Sequence, residues 1–401
     1  MSSKASKRLV PELRFPEFRD APEWQKKQLD DLISTVAPPK KIVTTDYLVK
    51  GEFPIIDQGQ SHIAGWTNDA ESLIKDDLPL IVFGDHTCAL KLVNQPFAQG
   101  ADGIKVIKAN HLATTEYLYQ CLRFRPVVIE EYKRHFSILR IKTIVYPEKK
   151  SGEQQKIADC LSSIDDLITA QAKKIEALKA HKKGLMQQLF PAEGETVPRL
   201  RFPEFRGAPE WKKKKLGDIS EVITGTTPST ADTQNYGGTR PFVSPADISS
   251  ERYVAKTRTS LSEAGFELTR HVKPNSILFV CIGSTIGKVA QNKIQCATNQ
   301  QINAVIPNDD YVSDFLYSTL EYQSVKIASL AGRQAVPIIN KSQFSEVNLR
   351  VPDFCEQEKV ARIFSSVDDL ILSQSEKLET LKTHKKGLMQ GLFPSTAEGE
   401  A

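Results

Sequence analysis

The sequence predicts an α+β protein, with two α/β-mixed domains and two long helices that pair as an intramolecular coiled coil. Three observations lead there. The chain is written twice, each copy ends in a heptad-patterned stretch, and the blocks between mix short β-rich runs with short helical ones. The segment Pro11 to Leu29, PELRFPEFRDAPEWQKKQL, returns at Pro198 to Leu216 as PRLRFPEFRGAPEWKKKKL, with roughly four in five positions identical. Glu153 to Pro191, EQQKIADCLSSIDDLITAQAKKIEALKAHKKGLMQQLFP, returns at Glu356 to Pro394 as EQEKVARIFSSVDDLILSQSEKLETLKTHKKGLMQGLFP, roughly two thirds identical.

The order is short motif, block, long motif, then the same again. Residues 1–152 hold a frame segment and the first block, and 153–195 the first long helix with its linker. Residues 196–355 repeat the frame and carry the second block, and 356–401 hold the second helix and tail. The blocks share little sequence, and the second is about sixteen residues longer. Shared frames around dissimilar inserts point to one scaffold role performed twice and one variable role performed differently.

The long motif has a narrow seam. In the first copy Ile157, Ile164, Gln171, Leu178 and Leu185 fall at heptad position a, with Leu161, Ile168, Ile175, Lys182 and Leu189 at d. The second copy repeats it with Val360, Phe364, Val367, Ile371, Gln374, Leu378, Leu381, Lys385, Leu388 and Leu392. A globular amphipathic helix has a broader apolar face, so this pattern predicts helix pairing. Ser151 with Gln154, and Asp353 with Glu356, have capping-box spacing, while Pro191 and Pro394 close the stretches. Each helix should run for about 36 residues, or about 50–55 Å. Gln171 and Gln374 would fix register at some cost in stability. Lys182 and Lys385 either serve the same end or snorkel to solvent. Gly184 and Gly387, costly in a helix interior, suggest a close backbone approach. Pairing within the chain avoids the entropic cost of association, but the sequence leaves parallel and antiparallel pairing open.

Within the blocks, Leu80–Phe83 and Gly103–Ile107 read as strands, as do Phe279–Ile282 and Ile302–Ile306. Helical patterns follow at Thr115–Arg123 and Val312–Gln323. The matching order suggests two diverged versions of one domain.

The chain's 401 residues are enough for two or more cores, and 40% hydrophobic and 25% charged residues describe an ordinary globular protein. A formal net charge of +4 permits a nucleic-acid partner without demanding one. No apolar run reaches the length of a membrane span, and the N-terminal stretch lacks the apolar segment of a signal peptide. Cys88, Cys121, Cys160, Cys281, Cys296 and Cys355 show no C-x-x-C spacing, which argues against a metal site or a disulfide framework. The expected location is the cytoplasm.

Catalytic signatures are missing. There is no N-P-P-[FY] or D-P-P-[FY] and no F-x-G-x-G loop for a methyl donor. The stretch Gly283-Ser-Thr-Ile-Gly287-Lys288 is one residue short of a nucleotide loop and ends in Val289, where a hydroxyl residue is needed for magnesium. Glu356 and Glu358 follow Pro352-Asp353 too closely for a nuclease arrangement and suit a helix N-terminus instead. The histidines have no ligand spacing, so no metal residues are expected.

What remains is recognition. Loops on a rigid frame carry readers, and Gln, Asn, Asp, Ser, Thr and Arg hydrogen-bond base edges. The first block offers Gln58, Gln60, Ser61, His62, Asp85, His86, Thr87 and Arg134. The second offers Ser244, Asp247, Arg252, Ser284, Thr285, Lys288, Asn299, Gln300 and Arg333. Further basic residues such as Lys40, Lys41, Arg258 and Arg270 are candidates for phosphate contacts.

The repeated F-P-E-F…W…L lead-in, the Glu-Gln that opens each long helix and HKKGLMQ near each helix end resemble the specificity (S) subunits of type I restriction-modification systems. The likeness covers nearly the full length. Gly225-Thr-Thr-Pro228-Ser and Gly283-Ser-Thr-Ile-Gly287-Lys288 look like pieces of that family's target-recognition domains. One departure is that the first long helix follows Pro147 after five residues and the second follows Pro352 after three. The resemblance implies two target-recognition domains, each reading one half of a bipartite asymmetric site in double-stranded DNA. It implies an antiparallel helix pair that fixes the spacer, and no catalysis by this chain. It also implies methyltransferase (M) and motor-nuclease (R) partners that bind S-adenosylmethionine and ATP/Mg. The alternative is a coiled-coil assembly scaffold with protein-binding heads.

Overall fold

The computed structural model describes residues 9–75, 77–100, 103–129, 134–254, 256–332 and 336–394. They form two compact units, Met1–Ala170 with Leu378–Ala401, and Gln171–Lys377. The boundary falls inside both long helices, so it cuts the chain elsewhere than the four consecutive segments of the repeat.

In the first unit the strands are β1 (Gln25–Gln28), β2 (Ile33–Val36), β3 (Phe53–Ile56), β4 (Gly65–Thr67), β5 (Leu73–Ile74), β6 (Leu80–Gly84), β7 (Leu90–Val93), β8 (Phe97–Gln99), β9 (Ile104–Ala109) and β10 (Thr143–Tyr146). Its helices are α1 (Thr115–Phe124), α2 (Phe136–Arg140) and the first part of α3 (Glu153–Leu189). One sheet has the order β2-β9-β6-β7, a second β4-β3-β8-β5, and β1 pairs with β10 as a ribbon.

The second unit contains β11 (Lys212–Lys215), α4 (Leu216–Ile219), β12 (Ser220–Thr224), β13 (Tyr236–Val243), β14 (Thr259–Leu261), α5 (Glu263–Glu267), β15 (Ile277–Val280), β16 (Val289–Gln291), β17 (Ala297–Thr298), β18 (Ile302–Pro307), α6 (Ser313–Ala328), α7 (Lys341–Ser345) and β19 (Asn348–Val351). The rest of α3 and most of α8 (Phe354–Leu392) complete it. Its sheets run β12-β18-β15-β16 and β14-β13-β17, with β11 and β19 as the ribbon. The order β2-β9-β6-β7 corresponds to β12-β18-β15-β16 and the ribbons correspond, while the other sheet lacks a counterpart of β5, so the two dissimilar blocks share one core topology.

The central strands explain the cores. In β6, Ile81 and Phe83 pack with Tyr117 and Leu118 of α1, while Leu80 and Val82 face Ile56 and Phe97. In β15, Ile277 and Phe279 join Phe315 and Leu316 of α6, and Leu278 and Val280 face Val243 and Ile302. A strand covered on both faces reads as an apolar run because alternate residues enter different cores.

The repeated lead-in and the head of each long helix form a clasp. Arg14 donates from Nε and Nη2 to the two carboxylate oxygens of Glu153 (2.8 and 2.7 Å) and from Nη1 to the Ala21 carbonyl. Arg201 does the same to Glu356 (2.9 and 2.7 Å) and to the Ala208 carbonyl. The next residue serves the block. Gln154 accepts from the Thr114 backbone N–H and donates to the Pro147 carbonyl, as Gln357 does with Val312 and Pro352. The Ser151–Gln154 capping box is therefore not what forms. Ser151 Oγ accepts from Glu153 N, and the glutamine is spent on the block.

α3 has 37 residues and α8 has 39, close to the expected length. Within the second unit they run antiparallel: Gln171 donates to Gln374, and further along α3 Lys182 meets Asp368, which lies earlier in α8. Ile157, Leu161, Ile164, Ile175, Val360, Phe364 and Ile371 are buried, while Ile168, Leu178, Val367, Leu378 and Leu381 are half-buried. The first turns of both seams also enter block cores, Ile157 and Leu161 with Trp24, and Val360 and Phe364 with Trp211.

The seam lysines do not snorkel. Lys182 is only 7% exposed and pairs with Glu321 (2.5 Å) and Asp368 (2.7 Å) in its unit. Lys385, 6% exposed, pairs with Asp165 (2.6 Å), which also takes Arg123 (2.6 Å). Burial pushes the Glu321 and Asp368 carboxyls above their ordinary range and the Lys385 ammonium below its own. The expected close approach at the helix glycines is absent, since a Cβ on Gly184 or Gly387 would meet nothing within 4 Å. Among the described residues no helix is long and apolar enough to cross a membrane, and no group of three or more acidic, His or Cys side chains could hold a metal.

Glu356→Ala strands Arg201 and the Trp211 indole N–H in a buried position, and should cost about 3–5 kcal/mol in denaturant unfolding of that unit. Glu204→Ala, which breaks an exposed pair with Lys359, should cost about 0–1 kcal/mol. Gly184→Ala and Gly387→Ala should each stabilise by up to about 1 kcal/mol, read as a rise in denaturation midpoint; a loss at either would reveal a backbone contact at that turn.

Candidate nucleic-acid interface

In the first unit, three segments converge at the ends of β3, β6 and the chain before α2. The Thr87 hydroxyl donates to the Gln58 carbonyl (2.5 Å), joining the β3–β4 and β6–β7 loops. Lys91, buried, donates to the Asp57 carbonyl (2.7 Å) and props the first loop from beneath. Asp85 is also buried: its carboxylate accepts from Phe136 N and its carbonyl from His135 N. Asp85 is thus an anchor, not a free reader, and the segment it holds carries exposed Arg134. Gln60, Ser61, His62 and His86 are exposed around this junction, and Gln58 and Thr87 half-buried. Sequence reasoning missed Lys105, whose exposed ammonium lies 5.5 Å from the centre of the Phe136 ring; one lysine in a strand gives no signal.

The second unit gathers a cluster of its own, in which the β15–β16 loop corresponds to the β6–β7 loop of the first. Gly225 N donates to the Ile302 carbonyl and Thr226 N to the Thr298 carbonyl, which binds the segment after β12 to the β17–β18 loop. A Cβ on Gly225 would sit 2.2 Å from the Thr298 oxygen, so the approach requires glycine. Asn299 and Gln300 lie on that loop. Asn299 spends its amide on Gln301, while Gln300 is exposed and accepts from the Thr227 hydroxyl. Gln301 contacts the Ile282 carbonyl of the β15–β16 loop, which carries exposed Ser284 and half-buried Thr285. Arg270 joins the group, its backbone N–H donating to Thr226 Oγ1 and Nη1 to the Thr224 carbonyl.

Other expected readers have structural duties. Asp247 closes its own turn, accepting from Ser244 N and Oγ and from Arg258 N. Lys288 donates to the Ile248 carbonyl. Arg252 is 5% exposed and lies against Asp314, Asp368, Ser365 and Gln291, so it neutralises the buried carboxylates beside Lys182 and is not available to phosphates. Arg333 lies outside the described residues. The signal for Thr226 and Thr227 was the Gly225-Thr-Thr-Pro228 motif, whose glycine is explained by the close approach.

Each unit therefore presents polar donors and acceptors on braced loops. A family model described as the type I restriction modification DNA specificity domain matches residues 209–383. The MjaIX specificity subunit of Methanocaldococcus jannaschii is 30% identical over 189 residues, which is 46% of this chain and 44% of that protein. This chain's match thus spans less than half the length of that relative. The EcoR124I/EcoR124II specificity subunit of Escherichia coli is 26% identical over 365 residues, covering 83% of this chain and 85% of its own length. The crystal structure of the type I S subunit from M. genitalium has the same fold, with a TM-score of 0.69, 16% identity, and coverage of 97% of this chain and 100% of that one. The chain is thus similar to type I restriction-modification specificity subunits, and its residues 209–383 match that family's DNA specificity domain.

Proposed function

We propose that this chain supplies the DNA sequence specificity of a type I restriction-modification complex and performs no chemistry itself. Each unit reads one half of a bipartite asymmetric site, and α3 and α8 set the number of base pairs between the halves. The observation that carries the reading is one core sheet order occurring twice with different loop chemistry around it. Identical readers would serve a symmetric site; readers as different as the Gln60–His62 and Thr227–Gln300 surfaces serve an asymmetric one. A helix of 37 residues is about 55 Å long, ample against one duplex turn of about 34–36 Å.

In this reading M subunits dock on the chain and methylate with S-adenosylmethionine held in their own sites. An R subunit joins them and cleaves with ATP and Mg held in its own, in the cytoplasm. The candidate base or phosphate contacts are Gln58, Gln60, Ser61, His62, His86, Thr87 and Arg134 in the first unit. In the second they are Ser284, Thr285, Gln300 and Arg270.

Duplex binding should be salt-sensitive, falling about tenfold or more between 50 and 200 mM salt, and should discriminate a target from a scrambled duplex in a titration at fixed salt. Binding of protein partners with no duplex discrimination would favour the scaffold alternative. Inserting one heptad into both α3 and α8 should lengthen the spacer of the recognised motif and leave both half-site sequences intact. An unchanged spacer in that variant removes the helices from the measuring role.

A further inference from the structure

We propose that Lys105 is a DNA phosphate contact of the first unit, standing at an opening of the sheet that the second unit fills with its own side chains. This deepens the DNA-reading role proposed above and rests on it.

The two central sheets give the comparison. Lys105 of β9 lies opposite Phe83 of β6, and Asn303 of β18 lies opposite Phe279 of β15, so the two residues hold the same place in one sheet order. In the second unit the neighbouring edge strand reaches that place. β12 sets Thr224 opposite Asn303, the Thr224 hydroxyl lies 2.7 Å from Asn303 Oδ1, and Asn303 is 2% exposed. In the first unit the edge strand stops short. β2 ends with Val36 opposite Val106, and Ala37-Pro38-Pro39 follow. Proline has no N–H with which to extend a ladder, so the β2 side of β9 has no strand partner at Lys105.

The lysine is placed accordingly. Ile104 and Val106 are buried on one face of β9, while Lys105 is exposed on the other, its ammonium 5.5 Å from the centre of the Phe136 ring. The backbone under that ring is pinned to the β6–β7 loop, because Phe136 N donates to the Asp85 carboxylate (2.8 Å) and His135 N to the Asp85 carbonyl (2.9 Å). Exposed Arg134 stands two residues before the ring.

Charge separates this place from the surface around it. Lys40 pairs with Asp69 (2.7 Å), Lys108 with Asp77 (2.6 Å) and Lys156 with Glu17 (3.2 Å). Among the described residues neither Lys105 nor Arg134 has a carboxylate within ion-pair distance. Two cations therefore flank a braced junction that also carries exposed His86. An ammonium is a compact point charge with rotatable donors, which suits a phosphate oxygen. Such a contact fixes the duplex against the readers and carries no sequence information itself.

The test measures the affinity of the full-length chain for a target duplex recovered from a random library, between about 50 and 200 mM salt. Lys105→Met removes the charge and keeps a long side chain beside Phe136. It should flatten the slope of log affinity against log salt by about one, so that the parent loses about threefold more affinity than the variant across that range. Base preferences recovered from the library should be unchanged at every position. Replacing phosphates singly by neutral methylphosphonates should reveal one position that weakens the parent and not Lys105→Met. Lys105→Arg should keep the parental slope, as should Lys108→Met, which removes a cation already paired on the same strand. A parental slope in Lys105→Met, a changed base preference, an equal flattening in Lys108→Met, or no such phosphate position overturns the assignment. A parent whose duplex binding shows neither salt dependence nor sequence preference overturns the DNA-reading role itself, and this inference with it.

Discussion

Much of the architecture rests on a buried carboxylate at the head of each long helix. Glu153 and Glu356 are 1% and 2% exposed, and each is neutralised by a two-pronged contact from the arginine of the repeated lead-in. An uncompensated charge there would cost several kcal/mol, so lead-in and helix must be placed together. The same frame is closed at the far helix ends within each unit. Leu13 N donates to the Gly391 carbonyl in one, and Leu200 N to the Gln188 carbonyl in the other. The adjacent glutamine then fixes the block, so a two-residue Glu-Gln motif orients frame, helix and block at once.

The repeated frame was legible because its constraints are periodic or duplicated. Heptad spacing marks the seam, and repetition marks Arg14 with Arg201 and Trp24 with Trp211 as a set, although their partners lie far along the chain. The lysines in the seam were harder. Their carboxylate partners stand on other elements, and the two units complete the pair differently. α1 supplies Arg123 to Asp165 in one, whereas α6 supplies Glu321 to Lys182 in the other, with Arg252 beside Asp368. Sequence reports the charge of such residues but not their burial, which is why Arg252 read as a DNA contact.

The loops were the least legible part. Polar residues there are of two kinds, those that brace and those that face outward, and composition does not separate them. Asp85, Asp247 and Asn299 prove to be braces because backbone N–H groups of distant or looping segments need acceptors. Gln300 and Thr227 are 73 residues apart and meet only because Gly225 lets two backbones touch. The shared topology of the blocks was suggested by the order of strands and helices, but pairing order is set by long-range contacts that no local pattern encodes.

The central claim is that this chain determines which DNA sequence its complex acts on. The most direct measurement is modified-base mapping of DNA from cells expressing the chain with its methyltransferase partner, beside a matched strain lacking only this chain. A methylated bipartite, asymmetric motif that vanishes without the chain is the predicted result, and it gives the spacer at the same time. Identical methylation in both strains, with the methyltransferase demonstrably active, would contradict the account.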